Sequence, residues 1–191
     1  MFKSIRRLLA ASLIALGFAS SATVTYAQTP IPPPDPENTL ILTTRYGDVV
    51  IRMRPDLAPK HVAQIKELTR RKFYDGVPFH RVIPDFMAQT GDGQFGNGTG
   101  GSGKKLAQEF SNEPHVRGIV SMARSSDPNS ADSQFFIMFT SYPSLNRQYT
   151  VWGNVVSGME FVDRIKKGSG SGGTVTDPDK IITMRVQADP K

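Results

Sequence analysis

A mainly β domain, either an antiparallel barrel or a sandwich with long loops and two helices, is the fold class the sequence predicts. Over residues 73–156 the chain runs as short apolar stretches broken by Gly, Pro, Asn and Asp, the pattern of closely spaced strands. Apolar residues recur at helical spacing in only two places, residues 59–69 and about 159–167. No cysteine is present, so the fold has neither a disulfide framework nor a thiolate metal site and depends on its core.

The N-terminus carries Lys3, Arg6 and Arg7, followed by a mostly apolar run over residues 8–19. A charged start and then an apolar run is the order of a secretory signal. The run is shorter than the roughly 20 residues of a spanning helix, and Thr25-Tyr26-Ala27 puts small residues where a signal peptidase reads. Residues 1–27 are therefore expected to be a signal peptide cut after Ala27, delivering the protein to the periplasm with no stable membrane insertion. Ser4-Ile5-Arg6-Arg7 fits a twin-arginine signal only loosely, which favours general secretion. About 164 residues remain, enough for one domain with a sizeable core.

Residues 28–38 are rich in proline and read as an extended linker, with the folded domain over residues 39–191. That domain opens with Leu40-Ile41-Leu42-Thr43-Thr44, a turn around Tyr46-Gly47-Asp48, and Val49-Val50-Ile51-Arg52-Met53, a predicted hairpin. Pro59 suits a first helical position, and Val62, Ile65 and Leu68 follow on one face. After the strand-rich middle, Val162 and Ile165 face inward on a second helix that Gly168 stops. Residues 168–173 form a glycine-rich flexible loop, and residues 181–186 supply a last strand.

The formal charge is +6, and removing the three signal cations leaves about +3. With no basic run interleaved with aromatics, this argues against a nucleic-acid partner. Two glycine motifs imitate nucleotide sites. Gly91-Asp92-Gly93-Gln94-Phe95-Gly96 matches a dinucleotide fingerprint but opens no helix to receive a pyrophosphate. Residues 98–104 imitate a phosphate loop, yet Lys105 stands where Ser or Thr should hold magnesium, and Pro114 interrupts any helix. A long surface loop that passes close to a ligand groove is the better reading. His61, His80 and His115 form no metal motif, there is no nucleophile elbow, and no cofactor is expected. His80, beside apolar neighbours, reads as a satisfied structural hydrogen-bonding group.

Two blocks remain, Phe79-His80-Arg81-Val82-Ile83-Pro84-Asp85-Phe86-Met87-Ala88-Gln89 and Ser133-Gln134-Phe135-Phe136-Ile137. Their apolar residues are equally suited to strands alternating into a core. Arg81 is out of place in that view, because a guanidinium in such a stretch either reaches water or holds a partner. With Asn97-Gly98-Thr99-Gly100-Gly101 and Gly118-Ile119-Val120-Ser121-Met122-Ala123, the blocks resemble, in order, the cyclophilin family of peptidyl-prolyl isomerases across residues 39–186.

The resemblance implies a closed eight-stranded antiparallel barrel capped by two α-helices, a cofactor-independent isomerase and a monomer. It implies that Arg81 and Gln89 are catalytic, Arg81 as the donor to the prolyl nitrogen and Gln89 on a substrate carbonyl. Phe86, Met87, Phe136 and Leu145 are implied to hold the proline ring. Ala123 and Arg124 are implied to offer backbone groups, Gln134 a polar contact, and Tyr149 an aromatic wall. The implied partners are Xaa-Pro segments of unfolded or partly folded exported proteins. Ser144 and Tyr149 stand where the eukaryotic pattern has tryptophan and histidine, which predicts weak cyclosporin binding. Arg124 replaces a common asparagine, and the loop over residues 125–132 is one residue longer than in that pattern. The competing expectation is a non-catalytic proline-peptide-binding module or holdase chaperone, which would keep the apolar pocket but would not need Arg81.

Overall fold

The computed structural model describes residues 28–31 and 33–190. The expected signal peptide and its cleavage site lie outside these residues. Eight strands form one antiparallel sheet: β1 (Thr39–Thr44), β2 (Gly47–Met53), β3 (Arg81–Ile83), β4 (Met87–Thr90), β5 (Ile119–Met122), β6 (Phe135–Met138), β7 (Val151–Ser157) and β8 (Thr183–Val186). Their order across the sheet is β3-β4-β6-β5-β7-β2-β1-β8.

The predicted hairpin is β1–β2, with Thr44 opposite Gly47, so the turn is Arg45-Tyr46 rather than one centred on Gly47. Helix α1 (Pro59–Arg70) starts at Pro59 as expected and buries Val62, Ile65 and Leu68. Ala58 offers no side-chain cap, and Glu109 from a distant loop does that work instead. Its carboxylate accepts from the Lys60 and His61 amides at 3.1 Å, satisfying donors that the helix leaves unpaired. Helix α2 is shorter than predicted, Met159–Val162, and continues as turns through Ile165.

Eight antiparallel strands and two helices match the expectation, but the sheet is open rather than continuously closed. Where β8 would have to pair with β3, only the isolated bridges Pro78↔Lys180 and Arg81↔Thr174 occur. The glycine-rich segment before β8 covers the β3 edge in its place: Val82 donates to Gly173 O and accepts from Gly168 N, both at 2.8 Å. Gly173 has φ +70°, and a Cβ there would lie 2.3 Å from Ile83 Cγ1, so only glycine permits this approach. The loop expected to be free is therefore bonded to the sheet.

The sheet's alternation produces two apolar clusters. Val82, Ala88, Phe135, Ile137, Val120 and Trp152 point into the main core with α1. Met87, Phe136, Met138, Ile119 and Val151 point the other way and are covered by Phe86, Leu145 and Tyr149. Part of the proline-rich segment is bonded to the end of β2 and to the loop before β5. Arg52 donates to Pro33 O, and buried Arg54 holds Asp56 at 2.8 Å and Thr29 Oγ1 at 3.0 Å, while Thr29 also bonds Glu113.

Candidate active site

Strand register builds the site. Arg81 lies opposite Gln89, Gln89 opposite Phe136, and Phe136 opposite Ser121, a single row across β3, β4, β6 and β5. Residues two apart share a face, so Met87 stands beside Gln89 on the same surface. The tight β3–β4 connection turns at Asp85 (φ 55°) and brings Phe86 over the end of the row. Arg81, Phe86, Met87, Gln89, Ala123, Arg124, Phe136, Leu145 and Tyr149 together line one cavity of about 160 Å³. Every residue the sequence placed in the site is in this lining except Gln134.

Gln134 lines an adjoining cavity of about 400 Å³, which shares Gln89, Ala123 and Arg124 with the first and is walled by residues 98–101. Its amide joins the two. Gln134 Nε2 donates to Gly98 O at 2.9 Å and Gly100 O at 2.8 Å, which turns its Oε1 toward Gln89 Nε2 at 3.0 Å. Gln89 Oε1 in turn accepts from Arg81 Nη1 at 3.1 Å, while Arg81 Nε donates to Gly172 O at 3.0 Å. Each amide has one orientation that satisfies both neighbours, so the guanidinium is held at the rim of the cavity.

The glycine motif that imitates a dinucleotide site belongs to this support. Asp92 accepts amide hydrogens from Gln94, Phe95, Asn97, Gly98 and Gly100 at 2.9–3.2 Å. Burial alone would raise its pKa, but the amides, led by those of Phe95 and Gly100, outweigh burial and bring it to about 2. Gly91, where a Cβ would be 2.5 Å from Ser133 O, lets this loop pass against β6.

Ala123 and Arg124 each have part of their hydrogen bonding committed within the chain. The Ala123 N–H is committed to Gln134 O at 2.9 Å, so the backbone group left for a peptide there is its carbonyl. Arg124 is held in place by its side chain. Its guanidinium donates to Gln148 O, Ser125 O and Ser126 O at 2.8–3.2 Å and lies 4.7 Å from the centre of the Tyr149 ring. His80 is buried, as expected of a structural residue. Burial lowers its pKa.

Sequence reasoning missed the layer behind the pocket. His115 stacks on Phe136 and meets Tyr149 edge-on, with centroids at 6.3 and 6.4 Å, and its ring is bonded to Ser121 and Asn146. Burial lowers its pKa to about 4 against the opposing Asn146 contact. A lone histidine outside any motif gave no signal of this. Among the described residues no group of three or more His, Asp or Glu could hold a metal ion, and no helix is long and apolar enough to cross a membrane.

Residues 39–186 match the family model described as cyclophilin type peptidyl-prolyl cis-trans isomerase. A probable peptidyl-prolyl cis-trans isomerase of Brucella suis is 57% identical over 196 residues, covering 96% of each chain. Human peptidyl-prolyl cis-trans isomerase-like 3 is 41% identical over 66% of this chain and 80% of its own. Among solved structures, the Hirschia baltica cyclophilin AquaCyp293 superposes with a TM-score of 0.74 at 28% identity, covering 82% of this chain and 76% of that one. A Cryptosporidium parvum cyclophilin type isomerase, solved in the presence of the dipeptide Ala-Pro, gives 0.71 at 28% identity over 79% of this chain and 99% of that one. The chain thus belongs to the cyclophilin-type peptidyl-prolyl cis-trans isomerases.

Proposed function

We propose that the 160 Å³ cavity holds the proline ring of an Xaa-Pro segment and that Arg81 lowers the barrier to rotation about the bond before it. The planar peptide resists rotation by roughly 18–20 kcal/mol, because the nitrogen shares its lone pair with the carbonyl. At half rotation that sharing is lost and the lone pair localises on the prolyl nitrogen. A fixed guanidinium then gains a hydrogen bond that the planar amide cannot offer, so the twisted state is bound more tightly than either ground state. No bond is broken and no proton is transferred.

Phe86, Met87, Phe136, Leu145 and Tyr149 supply the apolar walls, and burying a ring of this size contributes roughly 1–3 kcal/mol. That weak grip suits release after each turn and a broad set of clients. Gln89 serves two purposes: it steadies Arg81 and faces a substrate carbonyl across the rim. The observation that carries this reading is the ordered line from Gln134 through Gln89 to Arg81 at the mouth of a pocket walled by Phe86, Met87, Phe136 and Leu145, since a holdase needs the pocket but not a fixed cation. NMR exchange between the cis and trans forms of an Ala-Pro-Phe peptide tests it. Exchange well above background is expected, and binding without exchange would favour the holdase.

The clients in this reading are unfolded or partly folded exported proteins, met as a monomer in the periplasm after removal of residues 1–27. The charged start, the apolar run and Thr25-Tyr26-Ala27 support this. Mass measurement of the protein recovered from the periplasmic fraction should give a chain beginning at Gln28, whereas a full-length chain in the cytoplasm would contradict it. Ser144 is exposed where a tryptophan donor would face a ligand, which supports weak cyclosporin inhibition.

A further inference from the structure

The loop over residues 142–149, which delivers Leu145 and Tyr149 to the cavity, is otherwise exposed at Tyr142, Pro143, Ser144, Arg147 and Gln148. One residue outside the cavity grips it repeatedly. His115, 1% exposed, accepts from Tyr142 N at its carbonyl at 2.8 Å and donates from its backbone N–H to Asn146 Oδ1 at 2.8 Å. Its Nδ1 lies 3.3 Å from the same oxygen. A backbone N–H can only donate, so it is the oxygen of Asn146 that faces His115, and Nδ1 carries the proton. Nε2 is then the acceptor, and it takes the hydroxyl hydrogen of Ser121, fully buried on β5 and 2.8 Å away. Ser121 is directly opposite Phe136, on whose ring the imidazole stacks at an interplanar angle of 24°.

We propose that His115 is a positioning residue for the isomerase site, fixing the loop that carries Leu145 and Tyr149 against Phe136 so that the proline pocket is formed before a peptide arrives. The inference rests on the reading of the cavity given above. His115 does not itself line the cavity and acts through Asn146, Ser121 and the rings of Phe136 and Tyr149. Without it the loop spends only a fraction of its time in place, and apparent affinity falls by that fraction. A bound peptide restores the closed loop, so the effect falls on KM and spares kcat.

The test is exchange NMR of an Ala-Pro-Phe peptide at several concentrations, with thermal unfolding as a check on folding. The proteins are the parent, His115→Phe, Asn146→Ala and their double variant, with His115→Gln as the conservative replacement. His115→Phe keeps a ring on Phe136 but loses both ring hydrogen bonds. His115→Phe and Asn146→Ala should each raise KM about tenfold, with kcat within about twofold. The double variant should fall well short of the product of the two single effects, because the Nδ1–Asn146 contact is common to both, and His115→Gln should recover part of the loss. Unchanged KM in Asn146→Ala, or multiplied effects in the double variant, would overturn the proposal, as would a fall in kcat at constant KM. If His115→Phe fails to fold, Asn146→Ala decides alone, since it leaves the buried ring in place. A parent that gives no exchange overturns the isomerase reading itself, and this inference with it.

Discussion

Arg81 Nη1 donates to Gln89 Oε1 across 3.1 Å, between two residues directly opposite each other on β3 and β4. The strand pairing sets the approach of the two side chains, and Gln134 sets which end of the Gln89 amide faces the guanidinium. Gln134→Leu removes that constraint and strands the carbonyls of Gly98 and Gly100. The expected result is a fall of about tenfold in kcat/KM, in line with one hydrogen bond of about 1–1.5 kcal/mol. Exchange NMR with a proline peptide reads it.

Phe136 belongs to both the pocket and the packing beneath it, since it meets His115 and Tyr149 and is almost fully buried. Phe136→Ala should therefore destabilise the fold by about 3–5 kcal/mol and weaken peptide binding at the same time. Urea unfolding with tryptophan fluorescence, paired with peptide titration, separates the two losses. The buried Trp152, 5.4 Å from the Phe135 ring, reports on the main core.

Asp92 ties the glycine loop together with one carboxylate. Asp92→Asn replaces an acceptor with a donor facing backbone N–H groups, and a cost of about 2–3 kcal/mol is expected. Because Gly98 and Gly100 anchor Gln134, activity should drop along with the melting temperature.

Stability should fall with acid in two stages. The native pKa of His115, about 4, lies below the unfolded value of about 6.5, so the unfolded chain binds that proton first. Its contribution is complete above about pH 6.5 and about 3 kcal/mol is lost by about pH 4. Burial lowers the pKa of His61 and His80 in the same sense, adding to this window. Asp92, depressed to about 2, stabilises above its unfolded pKa near 3.8 and loses about 2 kcal/mol as pH falls through about 2. Urea midpoints between pH 7 and pH 2 measure both, and His115→Phe should flatten the first stage.

The row of site residues was legible because strands alternate: Arg81, Gln89 and Phe136 stand in register only if the two blocks pair as neighbours, which the family resemblance implied. The hairpin and α1 were legible from periodicity and from Pro59. The open edge between β3 and β8 was not, because loop 168–175 takes its place through backbone contacts that no side-chain pattern encodes. Asp92 was misleading for the same reason: a glycine run looks alike whether its amides face a phosphate or the chain's own carboxylate. The role of His115 depends on Asn146, 31 residues away, a contact that only the folded chain creates.

In the proposed mechanism Arg81 binds the twisted bond and not the planar one. The decisive measurement is Arg81→Ala read two ways on one peptide: dissociation constant by titration, and exchange rate at saturation. The expected result is a dissociation constant within a few-fold of the parent and an exchange rate lower by roughly 100- to 1,000-fold, the loss typical when a transition-state donor is removed. A weakened dissociation constant with the saturated rate unchanged would contradict it and make Arg81 a ground-state contact.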